Sequence, residues 1–464
     1  MNMIETLSRG LPPLLATAEA DTGPMVLAGV LLSLVVIYIA SKLGGELSRL
    51  LDLPPVLGEL VGGVLVGISA LHFLVFPESG ATASDSLLMG ILQQLGDLSP
   101  QGVQEVFSTQ SEVVSLLAEL GVIVLLFEIG LESDLRELQK VGYQAIIVAI
   151  FGVAVPFGAG TIGLMTLFGM SAVPAIFAGA ALTATSIGIT SKVLSELGYL
   201  KSSEGQIILG AAVIDDVLGI IVLAVVASLA KTGEVDVMNI LYLILSASGF
   251  LLGSILLGKV FNKSFVAIAE KLKTRGNLVI PAFIFAFLMA FLANVIQLEA
   301  ILGAFAAGLV LDETDKRKEL DKQVMPIADI LVPIFFVSVG AKTDLSVLNP
   351  TIPANRAGLV VAAFLIVVAI IGKIMTGWTV FGRPGINRLA IGVGMIPRGE
   401  VGLVFAGVGS ASGALSESLE AAIIMMVIIT TFLAPPFLRF AFKSSTPPEE
   451  AESVESESKQ PMSS

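Results

Sequence analysis

The chain has 464 residues, of which 55% are hydrophobic and 14% charged, with a mean hydropathy of +0.92 and a net charge of −13. A soluble domain carries roughly a quarter charged residues, so a water-soluble globular fold is excluded. With no cysteine there is no disulfide or thiolate metal site, and no stretch has the basic character of a nucleic-acid surface.

Residues 1–24 contain scattered acids and Pro12-Pro13, without a basic start followed by an apolar core. They read as an extracytoplasmic segment and not as a cleaved signal peptide. From Met25 to Phe442 apolar runs of membrane-spanning length recur, and none shows the alternating polarity of a transmembrane barrel. The sequence therefore predicts an all-α polytopic protein. About thirteen spans fall near 25–43, 55–76, 113–131, 143–168, 172–194, 207–229, 238–259, 277–296, 299–312, 326–341, 357–379, 388–410 and 419–442. The single histidine, His72, lies near the end of the second span and reads as an interfacial side chain. A long loop over 77–111 follows. Residues 444–464, rich in Pro, Ser and Glu, read as a disordered acidic cytoplasmic tail.

Basic residues set the orientation. With the N-terminus outside, nineteen Lys and Arg fall on the inner side against four on the outer side, which predicts N-out and C-in. Two segments also repeat. Leu57-Gly58-Glu59-Leu60-Val61-Gly62-Gly63 in span two parallels Leu302-Gly303-Ala304-Phe305-Ala306-Ala307-Gly308 in span nine. Gly130-Leu131-Glu132-Ser133-Asp134-Leu135 in span three parallels Gly340-Ala341-Lys342-Thr343-Asp344-Leu345 in span ten. An offset of seven spans inverts the second copy, predicting two inverted six-helix repeats around a linking span. That is an architecture of secondary transporters with a midplane site.

Four intramembrane features coincide with this plan. Asp215 and Asp216 are adjacent in span six. Carboxylates at bilayer depth mark ion or proton pathways, and two together cannot both stay charged without a cation. Consecutive helical residues point about 100° apart, so each can face a different neighbour. Lys373 in span eleven is a candidate ion-pair partner for one of them, releasing it when a substrate cation arrives, although it could instead snorkel inward. Thr183-Ala184-Thr185-Ser186-Ile187-Gly188-Ile189-Thr190-Ser191 can unwind span five and offer oxygens to a hard cation. Gly394-Met395-Ile396-Pro397-Arg398-Gly399-Glu400 breaks span twelve, the repeat partner of span five. Arg398 and Glu400 read as a gating or structural charge network. Glu59 and Glu128 could line an access funnel or pair with Arg398.

These segments, together with Leu53-Pro54-Pro55-Val56-Leu57-Gly58-Glu59-Leu60, Leu125-Leu126-Phe127-Glu128-Ile129-Gly130-Leu131-Glu132 and Pro333-Ile334-Phe335-Phe336, resemble the monovalent cation:proton antiporter-2 family, within it the bacterial and cyanobacterial Na+/H+ antiporters. The resemblance implies the sodium/proton antiporter fold with crossed discontinuous helices, and electrogenic exchange of Na+ for protons. It implies that Asp216 coordinates Na+, that Asp215 pairs with Lys373, and that Thr183, Thr185 and Ser186 belong to the helix crossing. It further implies a homodimer in which a scaffold holds a core that moves as an elevator. The core is placed in spans three to six and ten to thirteen, approximately 113–229 and 326–442, within a membrane domain over 25–443. The resemblance implies Na+ and H+ as the exchanged ions, with Li+ or K+ as further cations and no cofactor. It implies a bacterial plasma membrane as the housing membrane, or a thylakoid in a cyanobacterium. Potassium-efflux relatives usually carry Gln before the ion-binding Asp and a downstream nucleotide-binding domain. Asp215 and the short tail favour sodium. A channel would need no Asp215–Lys373 pair, and an intramembrane aspartyl protease needs aspartates on facing helices; here they are neighbours.

Overall fold

A computed structural model describes residues 22–443 apart from 97, 233, 352 and 384. The N-terminal segment up to residue 21 and the acidic tail lie outside the described residues. The described residues form sixteen α-helices and no strand. In chain order these are α1 (Gly23–Leu50), α2 (Pro55–Val66), α3 (Leu87–Gly96), α4 (Pro100–Glu132), α5 (Leu135–Leu167), α6 (Ala172–Ala181), α7 (Ile187–Glu196) and α8 (Ser203–Thr232). They continue with α9 (Val237–Lys271), α10 (Val279–Val295), α11 (Ala300–Asp312), α12 (Arg317–Ala341), α13 (Pro353–Thr376), α14 (Arg388–Gly394), α15 (Glu400–Ala411) and α16 (Glu417–Phe442). Eight of them, or long apolar stretches within them, could cross a membrane by length and composition: α1, α4, α5, α8, α9, α12, α13 and α16. Each predicted span overlaps a helix or a pair of half-helices, and five shorter apolar helices lie among the eight.

Several boundaries differ from the sequence reading: the helix of the second span ends at Val66 and not at 76, that of the fourth begins at Leu135, and that of the seventh runs on to Lys271. The predicted loop over 77–111 contains α3 and the first three turns of α4. Ser99 caps α4 by accepting from the Gly102 amide at 3.2 Å, and Pro100 occupies the first turn, where its missing N–H costs nothing. These turns are too polar for a hydropathy run, yet Val103, Val106 and Phe107 share one buried helical face. Likewise α12 begins at Arg317, not at 326. Its charged first turns surround buried Leu320 and Val324, one turn apart.

The helices pack in two groups. α1, α2, α4, α10, α11 and α12 form one, with α9 beside α11; α5, α6, α8, α13, α14, α15 and α16 form the other. Half-helix α7 lies between them, touching α4 and α2 on one side and α8 and α16 on the other. Spans three and ten, now α4 and α12, pack with α1, α2, α10 and α11 and not with the helices of the second group.

Glycine explains why. A Cβ at Gly130 of α4 would run into the backbone of Phe305 and Gly308 on α11. One at Gly63 of α2 would run into the backbone of Val337 and Gly340 on α12. Membrane helices gain little from hydrophobic burial against lipid, so close backbone approach of this kind supplies much of their association. The two contacts join equivalent positions of the repeated segments, Gly63 matching Gly308 and Gly130 matching Gly340. Gly130→Ala and Gly340→Ala are expected to destabilise the protein by about 1–3 kcal/mol each through overpacking. Thermal unfolding in detergent checks this. Gly249→Ala, where nothing lies within 4 Å of the added carbon, serves as the control that leaves the midpoint unchanged or raised.

Candidate ion-exchange site

Two interrupted helices cross where the second group meets α7. α6 ends at Ala181 and α7 begins at Ile187; α14 ends at Gly394 and α15 begins at Glu400. The intervening residues 182–186 and 395–399 are extended or turned, which leaves backbone groups without helical partners. Each break satisfies the other. The Ser186 amide donates to Pro397 O at 2.8 Å, Thr185 Oγ1 to Met395 O at 3.1 Å and Thr190 Oγ1 to Gly394 O at 2.9 Å. Arg398 reaches back, donating to Thr183 O at 3.0 Å and to Ala184 O. Its own carbonyl accepts from the Thr431 hydroxyl on α16.

Charge follows the same crossing. Half-helices present partial positive charge at their N-termini and partial negative charge at their C-termini. The guanidinium of Arg398, fully buried, sits on the carbonyls that follow the C-terminus of α6. The N-terminus of α7 has no side-chain cap from Ser186, so its positive end remains turned toward the crossing.

Asp215 and Asp216 lie midway along α8, both buried, and face different neighbours. Lys373 Nζ donates to Asp215 Oδ2 at 2.9 Å and to Thr185 Oγ1 at 2.9 Å. Lysine and aspartate are each 0% exposed, so this ion pair is dry. Gly152 on α5 makes room for the lysine, since a Cβ there would lie 3.2 Å from Nζ. Lys373 therefore does not snorkel. Asp216, by contrast, lines a small cleft of about 10 Å³, together with Thr185, Ser186, Gly399 and Glu299.

The structure thus brings Asp215, Asp216, Lys373, Thr183, Thr185, Ser186 and Arg398 to one crossing. It does not bring Glu59 and Glu128 there. Glu59 accepts from Ser41 Oγ on α1 at 2.8 Å, and no ion pair joins Arg398 to either glutamate among the described residues. Glu59, Glu128, Glu132 and Glu196 instead each interact electrostatically with Lys192 on α7, Glu59 also with Lys42 and Glu132 also with Lys201. Glu400 opens α15, and its side chain lies outside what the structure describes. The sequence reading missed two residues. Thr431 is one threonine among many in apolar helices, and Glu299 resembles any acid at the edge of a span. No signal marked either of them.

Among the described residues no cluster of three or more His, Cys, Asp or Glu side chains could hold a resident metal. The side-chain oxygens of Asp216, Thr185 and Ser186 are hard ligands suited to a small monovalent or divalent cation.

Comparison with known proteins agrees in extent and fold. Residues 30–443 match the family described as sodium/hydrogen exchanger, transmembrane. The chain is 64% identical over 436 residues to the high-affinity Na+/H+ antiporter NhaS3 of Synechocystis sp., covering 93% of this chain and 95% of that one. It is 32% identical to the Na+/H+-K+ antiporter GerN of Bacillus cereus, covering 88% of this chain and 95% of the relative. Its fold resembles that of the sodium proton antiporter MjNhaP1 of Methanocaldococcus jannaschii, with a TM-score of 0.58 at 17% identity, over 90% of this chain and 97% of that one.

Proposed function

The chain belongs to the sodium/hydrogen exchanger family, and on that premise we propose that the cleft beside Asp216 carries Na+ and protons in opposite directions across a membrane. It is an integral multi-pass transporter and not an enzyme. The observation that carries the site assignment is the unequal treatment of two adjacent carboxylates, Asp215 locked to Lys373 and Asp216 lining the cleft.

A carboxylate holds a proton or a cation, and the cycle follows from that competition. In the proton-loaded form Asp216 carries one proton, and Lys373 carries a second while paired with Asp215. When Na+ arrives, both protons leave, the pair opens, and the two carboxylates share the metal ion. Two protons then exchange for one Na+, so the reaction moves net charge. The group of α5–α8 and α13–α16 is the mobile core in this scheme, and the remaining helices are the scaffold. Because the two breaks are bonded to each other, they travel together. The distribution of basic residues supports an N-out, C-in orientation for the cycle. A homodimer through the scaffold belongs to the same proposal, supported by the exposed apolar ridge Leu27, Leu31, Val35 and Ile39 on α1.

The test is proton flux in proteoliposomes driven by Na+, Li+ or K+ gradients and followed with a pH-sensitive dye. Saturable Na+-driven flux is expected. Its half-saturation rises as pH falls while the rate at saturating Na+ is unchanged, as required by competition between Na+ and protons for the same site. Flux that never saturates would indicate a channel. Flux driven by K+ and not by Na+ would make this chain a potassium exchanger.

A further inference from the structure

The cleft has two walls of different origin. Asp216, Thr185, Ser186 and Gly399 come from the proposed core, whereas Glu299 and Ile301 come from α11. Glu299 is well fixed. It follows a tight turn in which Gln297 takes a left-handed conformation (φ 66°), the Gln297 amide bonds Asn294 O at 3.0 Å and the Leu298 amide bonds Ala293 O at 2.9 Å. It occupies the N-cap position of α11 without its carboxylate capping that helix. The helix itself is held against α4 by the Gly130–Gly308 approach and against α10 by Gly303, whose added Cβ would overlap the Met289 backbone.

We propose that Glu299 is a specificity-determining residue for the cation, contributing a second, stationary carboxylate to the site from the extracytoplasmic side only. The inference rests on the assignment of Asp216 as the ion-binding group. Two carboxylates on one confined cleft attract a cation more strongly than one, because water screens them poorly there. Glu299 belongs to the scaffold, so any displacement of the core withdraws Asp216 from it. The repeat-related position on the inner face carries no acid. Aligning Leu302-Gly303 with the repeated Leu57-Gly58 puts Pro54 in the place of Glu299. Four acids of the inner side, Glu59, Glu128, Glu132 and Glu196, each interact electrostatically with Lys192. The Na+ affinity of the outer-facing site therefore depends on Glu299, and that of the inner-facing site does not.

Right-side-out and inside-out membrane vesicles containing the full chain separate the two faces, with Na+ alone as the probe. In Glu299→Gln the half-saturating Na+ concentration on the outer face is expected to rise about tenfold, with the inner face within about twofold of wild type. Glu299→Asp, which keeps the charge, is expected to return the outer value toward wild type. Equal shifts on both faces, no shift on either, or the same defect in Gln and Asp variants would overturn the proposal. Asp216→Asn in the same vesicles separates the two levels. If that variant still exchanges Na+, the site assignment falls as well; if it is inactive on both faces while Glu299→Gln shows no asymmetry, only the role of Glu299 falls.

Discussion

Asp216→Asn is expected to reduce Na+-driven proton flux to that of empty liposomes while leaving the protein folded and inserted. Asparagine matches aspartate in shape and can still line the cleft, so packing around α8 is retained. What it lacks is the charge that draws Na+ in and the proton that Na+ displaces. Both halves of the exchange fail together, so raising Na+ does not rescue the rate. Asp216→Glu keeps the charge one methylene further out and should retain weak exchange. Wild-type flux from Asp216→Asn, with normal expression and thermal stability, would exclude Asp216 as the exchanging group.

Lys373→Met is expected to cost stability as well as transport. The substitution leaves Asp215 in a dry pocket without its cation, and breaking a buried pair from one side costs about 3–5 kcal/mol. Removing both charges in Asp215→Asn/Lys373→Met should recover most of that loss, because two neutral groups of similar size need no counter-charge. Thermal unfolding of the single and double variants in detergent measures the difference. The double variant also tests the stoichiometry. It keeps Asp216 but has lost the second proton carrier, so any exchange that remains should be insensitive to an imposed membrane potential. Potential-sensitive exchange by the double variant would remove Lys373 from the proton count.

Much of this arrangement was legible in the residues. Adjacent aspartates in an apolar run, a buried lysine, and a proline or a run of hydroxyls inside a span are all costly within a membrane, and cost makes them visible. Asp215, Asp216, Lys373 and the two breaks were found for that reason. Interfaces between helices leave a fainter trace. A helix such as α4 is apolar on faces that meet scaffold, core and lipid alike, so hydropathy could not say to which group it belongs. The glycines that decide the matter marked a repeat in the sequence, but nothing there said that they face one another across a helix contact. The role of Arg398 was obscure for a different reason. Its partners are the carbonyls of Thr183 and Ala184, and backbone groups have no signature in a sequence.

The crossing also constrains how the chain is made. Asp215 lies 158 residues before Lys373, and the bonds between the two breaks join positions more than 200 residues apart. During synthesis α8 therefore enters the bilayer long before its lysine exists. A ribosome-bound chain that ends ahead of α13 holds two intramembrane acids and half of a crossing whose other half has not been translated. Long-range pairing of this kind is slow to form. Until the second repeat is inserted, the first depends on water, protonation or the insertion machinery to shelter its acids. Assembly of the site is accordingly a late event, completed only after α14 and α15 have threaded past α6 and α7.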